Sequence, residues 1–256
     1  MLIRTLSWRL HRSRAGRKPP GFTLIEMLVC ISIVAILVAL ATPQFARARG
    51  AARAVVCLAN LRQVAVAFHR YHSSFDAYPF AHGGTWISMT PPEESDGAAV
   101  RGGHWDLDHL WPGLFHDVAP WRENIQAWRC PGARRAPKAP WVSDRFGTLP
   151  SSYWYSNSFI ARPELWRAGA VPDESLLRPI HESDVYFPAG KVLLYDGEMA
   201  HVPPDDSFRL LPVLFADDHA EVKDRDRADA GVANPFTGEI RAFHSTRDGV
   251  RGADFH

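Results

Sequence analysis

A carboxylate inside an apolar stretch is the feature that most constrains this sequence. Among residues 22–41 the only polar side chains are those of Thr23, Glu26 and Ser32. A carboxylate within a membrane-spanning helix costs roughly 2.5 kcal/mol or more, so a plain anchor has no reason to keep Glu26. If the chain is cut after Gly21, the new amine of Phe22 on a neighbouring chain can neutralise Glu26 as the two helices pack. Glu26 would then set the register between stacked helices.

A second interpretation of Glu26 needs no neighbouring chain. A glutamate near the end of a signal anchor can extend its carboxylate to water while its methylene groups stay in the apolar layer. In the first interpretation Glu26 is an assembly residue, and in the second it is a tolerated polar residue at the interface.

The residues around Glu26 indicate a membrane helix that starts in the cytoplasm. A helix over residues 22–41 is about 30 Å long, enough to cross a bilayer. A secretory signal peptide is cut after its apolar run, whereas here the small residue Gly21 precedes the run. By the positive-inside rule, residues 1–21 stay in the cytoplasm and the chain beyond Pro43 is exported. The leader holds no acid and six basic residues: Arg4, Arg9, Arg12, Arg14, Arg17 and Lys18.

The charge balance changes once this leader is removed. The whole chain has 29 basic and 28 acidic residues, and loss of the six basic residues leaves a net charge of −5. The basic patch is therefore a topology signal, and no nucleic-acid partner is predicted. With 256 residues, 46% of them hydrophobic, the chain is long enough for one globular domain behind the anchor.

Residues 21–26, Gly-Phe-Thr-Leu-Ile-Glu, resemble the cleavage and methylation signal of type IV prepilins and type II secretion pseudopilins. The resemblance implies that prepilin peptidase cuts after Gly21 and methylates the new N-terminal Phe22. Glu26 and Pro43 fall at the positions of that family's charged residue and its common helix-kinking proline. The resemblance therefore makes both of them assembly residues, and makes other pilin or pseudopilin subunits the partners.

Beyond Pro43 the apolar spacing predicts that the same helix continues to about residue 72. One face of it carries residues at steps of 3 and 4, which are Cys57, Leu61, Val64, Phe68 and Tyr71, with Phe75 extending the row. The predicted organisation is a cleaved leader (1–21), a membrane and assembly helix (22–42), its continuation (43–75) and an extracytoplasmic head (76–256).

The later part of the chain resembles a pseudopilin-like subgroup that is abundant in planctomycete and verrucomicrobial bacteria. The resemblance rests on residues 57–63 with Tyr78-Pro79, on the Cys-Pro element at residues 128–131, and on the aromatic-Asn segment at residues 152–157. In that subgroup the second late strand ends Phe-Ala-Asp-Gly-His. Here Asp218 replaces the glycine, and the histidine expected before the strand is missing.

Strand signals come late in the chain. Residues 191–195 and 210–215 are short apolar runs followed by turn residues, and residues 220–223 add a third strand. Between residues 81 and 140, glycine and proline predict long loops with short helices. Together these patterns predict an α+β, pilin-like fold in which a long N-terminal α-helix packs on a small antiparallel sheet.

Three cysteines are present. Cys30 lies in the membrane run, where it serves as a small apolar residue. Cys57 and Cys130 are both expected in an oxidising compartment, where a pair can persist as a disulfide. Two buried thiols are the alternative.

Several metal-ligating residues occur without an established ligand spacing. We interpret His69 and His72 as surface residues and residues 104–109, His-Trp-Asp-Leu-Asp-His, as an ordinary aromatic loop. Because major pseudopilins commonly bind calcium in a C-terminal loop, the resemblance implies a candidate calcium site at Asp217, Asp218, Asp224, Asp226 and Asp229. The interleaved Lys223, Arg225 and Arg227 can neutralise these acids without a metal.

The sequence thus predicts a structural subunit of a type II secretion pseudopilus or a type IV pilus-like fibre. It would cross the bacterial inner membrane once and place its head in the periplasm. The alternatives are an anchored extracytoplasmic enzyme and a binding or adhesion module, the latter suggested by nine tryptophans. The sequence contains no Gly-x-Ser-x-Gly, His-Glu-x-x-His or P-loop motif, so it is not predicted to be an enzyme.

Overall fold

The computed structural model describes residues 21–81, 86–88, 99–101, 104–132, 151–197 and 210–256. The chain divides into two compact units, Met1–Phe45 and Ala46–His256. The longest element is the helix α1, Leu24–Phe75. The predicted leader, residues 1–21, lies outside the described residues except for Gly21.

In the first unit α1 is apolar on all sides. Residues 24–40 are all exposed, and Leu24, Ile36 and Leu40 keep 83%, 60% and 68% of their surface accessible. By length and composition this stretch can cross a membrane. A helix that is hydrophobic all round is stable only where its surroundings are also apolar.

In the second unit one face of α1 is buried, as predicted. Leu61 and Val64 are fully buried, and Phe68 and Tyr71 keep 3% and 8% of their surface. The prediction for Phe75 is wrong, because this side chain is 51% exposed. Its ring touches Tyr71, with centroids 4.5 Å apart, but it lies on the last residue of α1, at the edge of the packed face.

The described residues form six strands: β1 (Trp86–Ser88), β2 (Ala99–Arg101), β3 (Tyr153–Tyr155), β4 (Val192–Asp196), β5 (Leu210–Phe215) and β6 (Ala220–Asp224). Four of them form an antiparallel sheet in the order β3-β4-β5-β6. Strands β4, β5 and β6 agree with the predicted ones, whereas β3 falls in the aromatic-Asn segment, which was not predicted to form a strand. Strands β1 and β2 pair with each other in a separate sheet.

The sheet separates two apolar clusters. Leu193, Leu194 and Leu214 belong to the cluster that contains the buried face of α1. Val213 and Phe215 belong to the other cluster, which includes side chains of the C-terminal segment. Burial on both faces explains why β4 and β5 are nearly continuous apolar runs. The chain therefore has the predicted α+β fold.

Two short helices, α2 (Leu107–Leu110) and α3 (Trp121–Asn124), lie in the segment predicted to be loops and short helices. Phe68 of α1 packs against aromatic rings from this segment and from β3. Its ring centroid lies 5.3 Å from Trp111, 4.8 Å from Phe115 and 5.8 Å from Tyr155. The indole of Trp111 donates to the carbonyl of Tyr153 at 2.9 Å, which ties this segment to the sheet.

Candidate functional site

The predicted cleavage point is open in the structure. Phe22 is 72% exposed, and a Cβ added at Gly21 would meet no heavy atom of the described residues within 4 Å. Nothing in this part of the chain therefore requires glycine at residue 21. Cleavage between Gly21 and Phe22 remains a prediction.

Glu26 takes part in a capping box at the start of α1. The Thr23 hydroxyl accepts from the backbone N–H of Glu26 at 3.2 Å. In return, the backbone N–H and the hydroxyl of Thr23 both donate to Glu26 Oε2 at 2.8 Å. Such a box satisfies helix donors that have no partner within the helix. The sequence signal Thr-x-x-Glu was available, but our sequence analysis assigned no role to Thr23.

Pro43 lies inside α1. Proline has no backbone N–H, so it removes the helix bond to the carbonyl four residues earlier. The neighbouring Thr42 hydroxyl donates to the carbonyl of Val38 at 2.7 Å. The assembly role predicted for Glu26 and Pro43 remains a prediction.

Cys57 and Cys130 lie close together, and a third group lies beside them. Cys57 on α1, Cys130 after α3 and Asp196 at the end of β4 keep 0%, 3% and 0% of their surface. Both sulfurs and one carboxylate oxygen lie within 4.8 Å of one another. Both cysteines are thiols in the structure. The disulfide between them remains a prediction. Asp196 was not predicted to join them.

Hydrogen bonds hold this thiol cluster in place. The Asn60 amide, on α1, donates to the carbonyls of Gln126 and Arg129 at 3.1 and 3.0 Å. The backbone N–H of Cys130 donates to Ser152 Oγ at 2.6 Å. The segment that carries Cys130 is therefore attached both to α1 and to the residues that lead into β3.

Each sulfur of the cluster also has a hydrogen-bond partner. The backbone N–H of Gly132 donates to Cys130 Sγ at 3.3 Å, and Tyr153 Oη lies 3.1 Å from Cys57 Sγ. A hydrogen bond with Cys57 and burial raise the pKa of the Cys130 thiol far above its ordinary value. Without a cation, Cys130 is therefore protonated.

A second buried polar cluster includes part of the run at residues 104–109. Asp108 Oδ2 lies 3.7 Å from both Arg241 Nη1 and His244 Nε2, and Asp108 Oδ1 contacts the ring of His109. His244 Nδ1 lies 2.9 Å from Tyr195 Oη. Burial lowers the pKa of His244 to about 4, and Asp108 opposes that shift. His244 is therefore neutral at pH 7.

A third cluster is a buried ion pair at the end of the chain. Lys191 Nζ lies 3.1 Å from Asp254 Oδ2 and donates to Ser158 Oγ at 3.2 Å. Asp254 also accepts from the backbone N–H of Val192 at 2.9 Å and from the Thr246 hydroxyl at 2.5 Å. Burial lowers the pKa of Lys191, and Asp254 counteracts the shift. The pair satisfies its own hydrogen bonds, as a buried pair must.

The acidic series proposed for calcium is spread over several local contacts. Asp217 contacts the ring of His219, Asp224 accepts from the N–H of Asp226 at 3.0 Å, and Asp229 lies 2.9 Å from His256. The structure does not bring three of these carboxylates together, since the group of three candidate ligands in the described chain is the thiol cluster. Calcium binding by the series remains a prediction, which a thermal melt in calcium and in chelator tests.

Asp218 has a backbone role. Its φ of 69° places it in the left-handed region, and its N–H donates to the carbonyl of Phe215 at 3.1 Å in the turn between β5 and β6. Glycine reaches this conformation most readily, and aspartate tolerates it better than most residues. The turn therefore explains why Asp218 can stand where the resembling subgroup has glycine.

His69 and His72 line a shallow pocket together with Glu182 and Asp218. His72 Nε2 lies 3.8 Å from Glu182 Oε2, and 73% of the Glu182 side chain is exposed. The pocket has a volume of about 20 Å³, room for roughly one water molecule. His69 is exposed, as predicted, whereas His72 is half-buried, because its ring faces Glu182 and Tyr78.

Comparison with known proteins gives two matches. Residues 17–42 match the prokaryotic N-terminal methylation motif, and residues 46–134 match a family described as a protein of unknown function (DUF1559). No curated protein and no solved structure matches the chain. The chain thus carries a prepilin-type N-terminal motif followed by a DUF1559 match, as is consistent with a type IV pilin-like protein.

Proposed function

We propose that this chain is a structural subunit of a type II secretion pseudopilus or a type IV pilus-like fibre. Prepilin peptidase cuts it between Gly21 and Phe22, and the processed chain then assembles with other pilin or pseudopilin subunits through α1. Before assembly it spans the bacterial inner membrane once, with its head in the periplasm. The methylation motif at residues 17–42 and the exposed apolar stretch of α1 support this proposal.

The capping box is the observation that carries the proposal. Among the described contacts, both bonds from Thr23 go to Oε2 of Glu26. Oε1 is then available to accept from the Phe22 amine of a neighbouring subunit. The box also lowers the cost of holding a carboxylate in an apolar helix, because two donors already satisfy one of its oxygens.

One pair of side chains with catalytic residue types is closed to substrate. Ser158 Oγ and Lys191 Nζ, 3.2 Å apart, have the residue types of a nucleophile and a base. Both residues are 0% exposed and Lys191 is paired with Asp254, so no substrate reaches them. These two residues are structural.

Three of the nine tryptophans are core residues and give no support to a tip adhesin. Trp111, Trp128 and Trp166 keep no more than 1% of their surface. Their rings stabilise the core of the head and are not available to a ligand.

The test compares Glu26→Ala with Ser32→Ala in cells that contain prepilin peptidase. Both variants should be cut, with a methylated Phe22 as the first residue in N-terminal sequencing. Loss of a pair worth about 3 kcal/mol should reduce the sheared fibre fraction of Glu26→Ala about 100-fold. Ser32 is the matched control, since its hydroxyl donates only to the carbonyl of Leu28, at 2.7 Å, within the helix.

Two results would contradict the proposal. One is a wild-type amount of fibre from Glu26→Ala. The other is an N-terminus at Met1, or beyond Pro43, in cells with an active peptidase.

A further inference from the structure

We propose that Cys57, Cys130 and Asp196 form a structural zinc site in the head. The three side chains come from α1, from the segment after α3 and from β4, and their ligand atoms lie within 4.8 Å of one another. Zinc binds sulfur at about 2.3 Å in tetrahedral geometry, which places two sulfurs about 3.8 Å apart. Small side-chain movements therefore suffice to bind it.

The position of Asp196 favours a cation over a disulfide. A disulfide would use the two sulfurs and give the neighbouring carboxylate no role. A divalent cation interacts favourably with both thiolates and with the carboxylate, so it accounts for all three ligand atoms lying within 4.8 Å of one another.

The ligand types favour zinc among the divalent cations. Thiolates select soft or borderline metals, whereas calcium and magnesium require oxygen ligands. Two thiolates with one carboxylate suit Zn²⁺, which accepts both ligand types. The three side chains fill three of the four tetrahedral positions of the ion, and their burial shields it from exchange with solvent.

The hydrogen bonds to the two sulfurs suit thiolates. The N–H of Gly132 points at Cys130 Sγ, and Tyr153 Oη lies beside Cys57 Sγ. With zinc bound, Cys57 has no proton, so the Tyr153 hydroxyl must donate to it. Such second partners orient metal ligands and stabilise their charge.

Zinc binding must release protons. Each cysteine loses its thiol proton to water as a zinc–sulfur bond forms, so two protons leave for each ion bound. Because the ligands are buried, zinc enters as the head folds and does not exchange readily afterwards. Chain purified without chelator should therefore retain its zinc.

The experiment measures metal in the full chain, extracted from membranes in detergent without reductant or chelator. Elemental analysis should find about one zinc per chain in the wild type and in Cys30→Ser. Cys30 is the matched control, because this exposed cysteine lies in the apolar stretch of α1. Cys130→Ser and Asp196→Asn should lose the zinc, and Tyr153→Phe should keep its stoichiometry but bind it less tightly.

A second measurement uses only the wild-type chain, so its result does not depend on whether the variants fold. The wild-type chain is denatured, freed of zinc with chelator and refolded with Co²⁺. Tetrahedral thiolate ligation should give strong visible bands and a sulfur-to-cobalt charge-transfer band in the near ultraviolet. Added Zn²⁺ should abolish both.

The outcomes are distinct. Intact mass and alkylation of the denatured wild type should show Cys57 and Cys130 as two alkylatable thiols. A chain lighter by two hydrogens, with both cysteines blocked, would establish the disulfide and overturn the zinc site. Two thiols without zinc, and no cobalt bands after refolding, would overturn it as well. None of these readouts depends on fibre assembly, so the zinc site and the proposed function can fail separately.

Discussion

Two stretches of α1 contain similar apolar residues but differ completely in exposure. Residues 24–40 are exposed throughout, with Leu37 at 61%, whereas Leu61 and Phe68 keep 0% and 3% of their surface. In the second stretch the apolar residues follow one face and pack on the head. In the first they cover the whole helix, and no other described residue of the chain covers them. Lipid and a neighbouring subunit are the apolar partners that the proposed function gives this stretch.

The largest effect expected from this comparison is on unfolding of the head. Phe68→Ala should lower its free energy of unfolding by about 3 to 5 kcal/mol, because it leaves a cavity between the rings of Trp111, Phe115 and Tyr155. Leu37→Ala is the matched control and should change it by less than about 0.5 kcal/mol. Tryptophan fluorescence during a melt in detergent reports both. Equal melting temperatures for the two variants would mean that the two stretches of α1 do not differ in how much they stabilise the head.

His244 provides a second test of the buried interior of the head, because its pKa depends on the exclusion of water. The pKa of His244 is about 4 in the folded chain and about 6.5 when exposed. Between these pH values the unfolded chain binds more protons than the folded chain. The contribution of buried, neutral His244 to the free energy of unfolding is therefore fully present above pH 6.5 and is lost as the pH drops toward 4. The loss should approach about 3 kcal/mol.

Comparison with His244→Gln isolates this effect, since glutamine cannot titrate. The free energy of unfolding of the wild type should fall more steeply between pH 6.5 and 4 than that of the variant. Parallel curves would mean that His244 is accessible to water, and that the cluster with Asp108 and Arg241 is not sealed.

The stability of the turn at Asp218 should depend on how readily the residue there adopts a positive φ. Because its φ is 69°, Asp218→Val should destabilise the head by about 1 to 2 kcal/mol. Asp218→Gly should be neutral or slightly stabilising, as glycine adopts this region without a clash. Denaturant titration of the two variants measures the difference. A larger loss for glycine than for valine would show that the carboxylate itself matters.

The smallest effect concerns the exposed start of α1. Thr23→Val removes the hydroxyl that caps Glu26 and should cost about 1 kcal/mol of local helix stability. Amide exchange at residues 24–26 should become faster, while the melting of the head stays the same. Unchanged exchange would mean that the capping box is not formed in solution.

Local patterns made much of this structure predictable. The steps of 3 and 4 identified the buried face of α1, and short apolar runs identified β4, β5 and β6, because both signals depend on neighbouring residues. The capping residue Thr23 also had a local signal, the Thr-x-x-Glu spacing at residues 23–26. Asp196 beside the two cysteines, His244 beside Asp108, and Asp254 beside Lys191 had none. Those contacts join residues 63 to 139 positions apart, and their positions follow from tertiary packing.

The ion pair between Lys191 and Asp254 places a requirement on the order of synthesis. The ribosome makes Lys191 long before Asp254, and domains generally form as their residues emerge. Until Asp254 is added, burying Lys191 would place an unpaired ammonium in the core. The nascent head therefore cannot complete its core before Asp254 has been added. A chain that stops between Lys191 and Asp254 would keep an unpaired ammonium in its core and would be more open to proteases.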